Sequence, residues 1–532
     1  MNLFAEILQF FLHPPAPEAM ARTLTMILPT IPVGGAILLI AFYYVGKKDL
    51  SRILLPLTMG ILATAQLMLI LLILRHSLTV TIALSELPYS IHFFMDHTKA
   101  YFLMTLLIPL CLSIFHLSQL PTLYARVIFL FYLTGCTGIV VSGDIFNFFV
   151  FFELMIMAAY VLIALNKDYY ASIKYMFFGS LGATFLLAAV IVWFRSGYYF
   201  TYTELPAFTT AHPEHSLFLL MLLSMVFLIK GGIFPVSSWP GPCHGAAPTL
   251  VSSFLSSFST FTSVYGFYYF VLIPAEAAGL STIPEALQIF AALTIFLVSL
   301  FAFFEDRFRY MIAAATPVTV STVLILCISG AVQAAFFYMV LHSAYKSVLF
   351  IVSHQCIDPT LPQSDDTGEN PNEAIVLSPP LFGVLIGGGL LTAALFPAAT
   401  AYLKEPAIKD NPLITAIFLI ASYLLLGGFS KFSYRICWKQ ARWSQILLTL
   451  LFFSALIAAY GILTPHFSPM PLSKIGVHSL VLVSALYTGK RLFTILPAAH
   501  RFASTRLYRT LNHELLSVLV LFLLFNLSIQ LL

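Results

Sequence analysis

The sequence predicts an all-α polytopic membrane protein of about 14–16 transmembrane helices, with discontinuous helices among them. Composition gives the first reason: of 532 residues, 60% are hydrophobic and 9% charged, and the mean hydropathy is +0.94. A soluble domain of this size could not hide so much apolar surface. Second, apolar runs near the ~20 residues a spanning helix needs recur along the whole chain. They begin near Thr23, Arg52, Ala100, Tyr124, Asp144, Ile173, Ser216, Ala247, Pro284, Tyr310, Gln333, Pro380, Pro412, Ile446, Val477 and Glu514. Third, the basic residues sort onto alternate sides of these spans, as cytoplasmic enrichment in Lys and Arg requires. With the N-terminus outside, the inner side collects Lys47, Lys48, Arg52, Arg126, Lys167, Lys174, Arg307, Arg309, Lys431, Arg435, Lys439, Arg442, Lys490, Arg491, Arg501, Arg506 and Arg509. The outer side holds the shorter set Arg22, Arg75, Lys99, Arg195, Lys404, Lys409 and Lys474. Lys230 and Lys346 are left over, and both fall inside spans.

No soluble domain interrupts this pattern. The N-terminal stretch MNLFAEILQFFLHPPAPEAMAR has no positive segment before its apolar run, and Pro14 and Pro15 end that run. It reads as a short interfacial helix and not as a cleaved signal. Asp358 to Glu373 (DPTLPQSDDTGENPNE) is an acidic surface loop too short to fold alone. Lys490 to Arg509 mixes basic and apolar residues, which suits either a helix lying on the membrane or an ordinary positive loop.

Several function classes are excluded by composition. Net charge is +4, with basic residues spread over loops, so no nucleic-acid surface is encoded. The six cysteines show no C-x-x-C spacing, so no iron–sulfur cluster, zinc site or other bound cofactor is expected, and any redox chemistry belongs to a partner.

Chemistry is therefore sought in the charges kept inside spans. Glu153 stands alone in IFNFFVFFELMIMAAYVLIAL, and a carboxyl in hydrocarbon is costly unless it serves an ion path or clamps two helices. Lys230 stands alone in LFLLMLLSMVFLIKGGIFP, followed at once by Gly231, Gly232 and Pro235. Residues that break helical hydrogen bonding beside a buried lysine are a transporter feature; snorkelling to the interface is the plainer alternative. His342 and Lys346 lie one turn apart in QAAFFYMVLHSAYKSVLFIVSHQ, where imidazole and amine can hand protons along. Lys404 ends a second interrupted span, GVLIGGGLLTAALFPAATAYLKE, with Pro397 in its outer half. Asp144, Asp306 and Arg309 fall at helix ends, where charges cap and anchor.

Taken together these stretches resemble the antiporter-like membrane subunits, above all the D-type subunit of Mrp multisubunit sodium/proton antiporters. GDIFNFFVFFELMIMAAYVLIAL with SIKYMFFGSLGA is similar to that family's fifth and sixth helices. KGGIFPVSSWPGPCHGAAPTLVSSFL is similar to its seventh helix, loop and eighth helix, and EDRFRYMIAAAT with LHSAYKSVLF to its tenth and eleventh. The likeness runs from about Ala100 to Glu405, and the same superfamily includes proton-pumping subunits of respiratory complex I and membrane-bound hydrogenases. The resemblance implies two inverted five-helix repeats, helices four to eight and nine to thirteen. This divides the chain into 1–99, a first repeat 100–272, a second repeat 284–431, and C-terminal helices 432–532. It also implies that Glu153, Lys230, His342, Lys346 and Lys404 form a proton relay ending at Lys404.

Two departures stand out. Phe261 occupies the place of the bridging lysine or histidine of the eighth helix, and phenylalanine carries no proton. The segment LFPAATAYLKE keeps one proline and the lysine of the twelfth helix but loses the second proline and a glycine.

Four functions follow. The first is a proton- and sodium-translocating antiporter subunit working beside other membrane subunits in a bacterial inner membrane. The second is the proton-pumping subunit of a quinone- or hydrogen-linked oxidoreductase complex, hence part of a translocase enzyme. The third is the membrane partner of a soluble zinc protein in inorganic carbon uptake. The fourth is a non-pumping structural subunit.

Overall fold

With no water to satisfy backbone N–H and C=O groups inside a bilayer, a chain this apolar must bond within each segment, and it does so as helices. The computed structural model describes residues 16–45, 50–84, 91–195, 201–305, 307–356, 375–377, 379–393, 411–433, 436–438 and 480–481. Among them, eight helices are long and apolar enough to cross a membrane, or nine if one bent pair counts as a single span. Two short strand pairs are the only sheet among the described residues, so the all-α polytopic class holds.

The chain divides into two compact units, one comprising Met1–Ala158 with Trp193–Glu204 and the other Ala159–Val192 with Leu205–Leu532. In the first, the span expected near Thr23 is bent by 46° between the helices Pro17–Ile27 and Thr30–Tyr44, with Pro29 at the junction. Ser51–His76 follows and ends at Ser77 in the left-handed conformation (φ 49°). A hairpin that the apolar pattern does not predict pairs Val80–Ala83 with His92–Met95 in antiparallel register. Helix His97–Ser113 is capped by Asp96, whose carboxylate accepts from Lys99 N at 2.8 Å, and Leu123–Val141 by Thr122, whose hydroxyl accepts from Ala125 N at 3.1 Å.

Small residues let Leu123–Val141 approach Ile145–Ile163 closely. A Cβ added at Gly135 would lie 2.7 Å from Met155 N, and one at Gly138 would collide with the Phe151 ring. Gly135→Leu is therefore expected to destabilise the protein by at least ~1–3 kcal/mol through overpacking. Thermal unfolding of the detergent-purified protein checks this, and an unchanged midpoint would refute the packing argument.

In the second unit, helix Phe308–Ile328 is almost fully enclosed. Thr282–Phe304, Val332–Cys356 and the elbow helix Pro240–Ala246 pack on it, and Pro412–Ser433 packs on Thr282–Phe304. Gly428 makes the last approach tight, since an added Cβ would sit 3.0 Å from Ala302 O.

Helix starts agree with the apolar runs to within a few residues through Pro412. The expected interfacial helix before Pro15, the loop Asp358–Glu373, Asp306, Pro397, Lys404 and the stretch Lys490–Arg509 lie outside the described residues, as do nearly all of the spans expected from Ile446 onward. Lys99, expected to be a loop charge, is fully buried. Its Nζ donates to Ser142 O at 2.5 Å and lies 4.6 Å from the Tyr202 ring centroid and 5.0 Å from that of Phe94. Aromatic faces replace part of the hydration the cation gives up.

Candidate functional site

Lys230 lies at the end of helix Pro213–Gly231. The helix stops there because Gly232 adopts φ +61°, a conformation open to glycine and costly to residues with a Cβ. The turn closes with Gly232 N donating to Ile229 O at 3.1 Å and Ile233 N donating to Leu228 O at 3.0 Å. Trp239 Nε1 also donates to Ile229 O, at 2.8 Å, and Phe234 N donates to Thr294 Oγ1 at 2.7 Å. The break expected from Gly231, Gly232 and Pro235 is thus present, and the carbonyls of Leu228 and Ile229 at its edge are satisfied internally.

Lys230 does not snorkel; it is 4% exposed. Its ammonium donates to Tyr175 OH at 3.0 Å and Ser259 Oγ at 2.9 Å, two oxygens themselves 3.2 Å apart. Tyr175 comes from helix Tyr169–Arg195, and its ring also faces the cation, with Nζ 5.2 Å from the centroid.

Ser259 closes a π-helical turn, Leu255–Ser259, in the serine-rich segment that follows the elbow. Such wide turns recur at functional sites because they redirect adjacent side chains. Ser256 Oγ is 2.8 Å from Thr316 Oγ1, Ser257 Oγ is 2.9 Å from Ser347 Oγ, and Ser259 reaches Lys230, so one turn links three helices through hydroxyls.

His342 and Lys346 lie on Val332–Cys356, and both are fully buried. Lys346 Nζ donates to Ile312 O at 2.5 Å in Phe308–Ile328. That carbonyl neighbours the one at Ala313, which loses its helical partner to Pro317. His342 Nδ1 is 3.0 Å from Tyr345 OH. The imidazole also meets the Phe261 ring edge to face, with centroids 4.8 Å apart. Phe261 is fully buried and packs directly on the expected relay histidine.

Glu153, in the other unit, is half-buried midway along Ile145–Ile163, and its carboxylate makes no ion pair or hydrogen bond among the described residues. Asp144 acts as a cap: its carboxylate accepts from Asn147 N at 2.6 Å and His92 N at 2.8 Å. Arg309 anchors the elbow by donating to Ala247 O at 2.5 Å. Among the described residues no cluster of three or more His, Cys, Asp or Glu side chains is placed to hold a metal ion.

Sequence reasoning passes over one residue. His244, in Pro240–Ala246, is fully buried, and neither ring nitrogen has a hydrogen-bond partner among the described residues. A histidine enclosed by prolines and glycines in an apolar stretch, PGPCHGAAP, is the available signal.

Comparison with known proteins follows the same lines. Residues 142–408, half of the chain, match the family described as NADH:quinone oxidoreductase/Mrp antiporter, TM. The chain is 27% identical over 240 residues to NADH-quinone oxidoreductase subunit N of Desulforudis audaxviator, covering 42% of this chain and 47% of that protein. It is 22% identical over 343 residues to the D-type Na(+)/H(+) antiporter subunit of Alkalihalophilus pseudofirmus, covering 62% and 68%. The match thus spans about half the length of the subunit N and M relatives. In fold the chain is similar to a subunit of the membrane-bound sulfane sulfur reductase, an archaeal respiratory membrane complex, with TM-score 0.74 at 20% identity, covering 88% of this chain and 99% of that one. It is also similar to a chain of the Mrp complex from a Dietzia species, with TM-score 0.67 at 17% identity, covering 92% and 99%. Both structural neighbours come from multisubunit membrane complexes. The chain belongs to the antiporter-like membrane subunit family shared by Mrp antiporters and NADH:quinone oxidoreductase.

Proposed function

We propose that this chain is an ion-translocating subunit of a monovalent cation/proton antiporter complex, exchanging protons for sodium alongside other membrane subunits of a bacterial inner membrane. Glu153, Lys230, His342, Lys346 and Lys404 change protonation in turn as the proton passes. The observation that carries this reading is Lys230, a buried ammonium held by neutral hydroxyls beside a broken helix. Hydroxyl oxygens can accept from the ammonium and donate to the neutral amine, so these two serve both of its protonation states. The match to the D-type antiporter subunit also extends over more of the chain than the match to subunit N.

Glu153→Gln and Lys230→Ala, each in inverted vesicles, are expected to lower sodium-driven proton movement at least ~100-fold, the usual weight of a positioned proton-transfer group. Unchanged movement in both variants with normal assembly would remove this reading in favour of a structural subunit. A second reading, the proton-pumping subunit of an oxidoreductase, is favoured by matches to subunits N and M of NADH-quinone oxidoreductase at 27% and 28% identity. Purifying the intact complex separates the two, since iron–sulfur or flavin subunits would travel with a pump and not with an antiporter.

A further inference from the structure

Within that proton-translocating reading, we propose that His244 is the proton carrier between Lys230 and the His342–Lys346 pair, taking the place of the eighth-helix group that Phe261 replaces.

The need for a carrier follows from Phe261. Its ring is fully buried against His342 and offers no atom that binds a proton. Neighbouring hydroxyls are poor substitutes. Thr260 Oγ1 donates to Leu255 O at 2.7 Å, Thr262 Oγ1 to Ser259 O at 2.7 Å, and Ser263 Oγ to Thr260 O at 2.6 Å. These protons are committed to backbone carbonyls of the same segment.

The position of His244 follows from its neighbours on both sides. Toward Lys230, the Trp239 ring meets Tyr175 edge to face at 5.3 Å and His244 at 5.6 Å, and Tyr175 holds the Lys230 ammonium. Toward Lys346, the elbow helix lies on Phe308–Ile328. A Cβ added at Gly241 would be 3.8 Å from Ala314 Cβ, and one at Gly245 would be 2.7 Å from the Tyr310 ring. Ile312, whose carbonyl binds Lys346 Nζ, lies between Tyr310 and Ala314. The elbow helix that carries His244 therefore touches both the Lys230 cradle, through Trp239 and Tyr175, and the helix whose Ile312 carbonyl holds Lys346.

The chemistry of the side chain suits the position. Both ring nitrogens lack hydrogen-bond partners among the described residues, and a buried polar group left unsatisfied is destabilising. A packing role would be filled at lower cost by an apolar side chain. Imidazole takes a proton on one nitrogen and gives one up from the other. The step is balanced: the Lys230 ammonium loses a proton to neutral His244, and the imidazolium returns to neutral by passing one to the Lys346 amine or the His342 ring. Only N–H bonds form and break.

The test uses the intact complex in inverted vesicles and measures proton movement with His244→Gln in two backgrounds, wild type and Phe261→Lys. In the wild-type background the expected loss is at least ~100-fold. With Phe261→Lys restoring a proton-bearing group at the bridging position, the same substitution is expected to have little effect, a coupling that a purely structural role would not produce. If Gln impairs assembly, His244→Met, which fills the volume without a proton site, is read in the same way. An equal loss in both backgrounds, or wild-type transport by His244→Gln, overturns the assignment while leaving the transport reading intact. A wild type that moves no protons overturns both.

Discussion

Lys346→Met is expected to leave the complex at least as stable as the wild type while lowering proton movement by ~10²–10⁴-fold. The two effects have one origin. Lys346 is fully buried, and among the described residues its Nζ donates to a single carbonyl, at Ile312. An ammonium with three donors is poorly compensated there, and replacing buried charge by an apolar side chain of similar length is often neutral or stabilising by ~1–4 kcal/mol. Thermal unfolding of the detergent-purified complex and proton flux in inverted vesicles read the two effects separately. A variant that transports normally would take Lys346 off the proton path, whatever its stability.

Removing the partners of Lys230 has the opposite effect on stability. Tyr175→Phe and Ser259→Ala each delete an oxygen that now accepts from a buried ammonium, at 3.0 and 2.9 Å. Each is expected to destabilise by ~1–3 kcal/mol, because the charge stays buried while its acceptor is lost. The two oxygens are 3.2 Å apart and share one cation, so the combined loss should differ from the sum. Adding Lys230→Met to the double variant is expected to recover stability but not transport. Failure to recover would mean that Tyr175 and Ser259 stabilise the fold independently of the lysine.

These contrasts also show what can be read from the sequence. Span positions are legible because hydrocarbon imposes a length and an apolar composition that a linear reading detects. The elbow is legible from Gly231, Gly232 and Pro235, whose backbone effects are local. The lysines stand out because charge is rare in spans. Partners are not legible. Tyr175, Ser259 and Thr316 are ordinary residues until folding brings helices distant in sequence together around them. Lys99 reads as a loop charge because the cage of Phe94 and Tyr202 depends on a hairpin with weak alternation and on a segment beyond the sixth span. His244 escapes notice because it lies in a loop-like stretch, where histidine is unremarked until burial leaves its nitrogens without partners among the described residues.

The wide turn Leu255–Ser259 has a bearing on the contact between Phe261 and His342. A π turn holds one residue more than an α turn, so everything after it is rotated by ~100° relative to an uninterrupted helix. Which of Thr260, Phe261 and Thr262 faces His342 is therefore a matter of phase as well as of composition. Deleting one residue upstream would turn the aromatic stopper aside and bring a neighbouring position round to the histidine. In that sense the helix works as a selector dial, and a change in chain length within one turn would change which side chain packs on His342 without altering any ionisable residue.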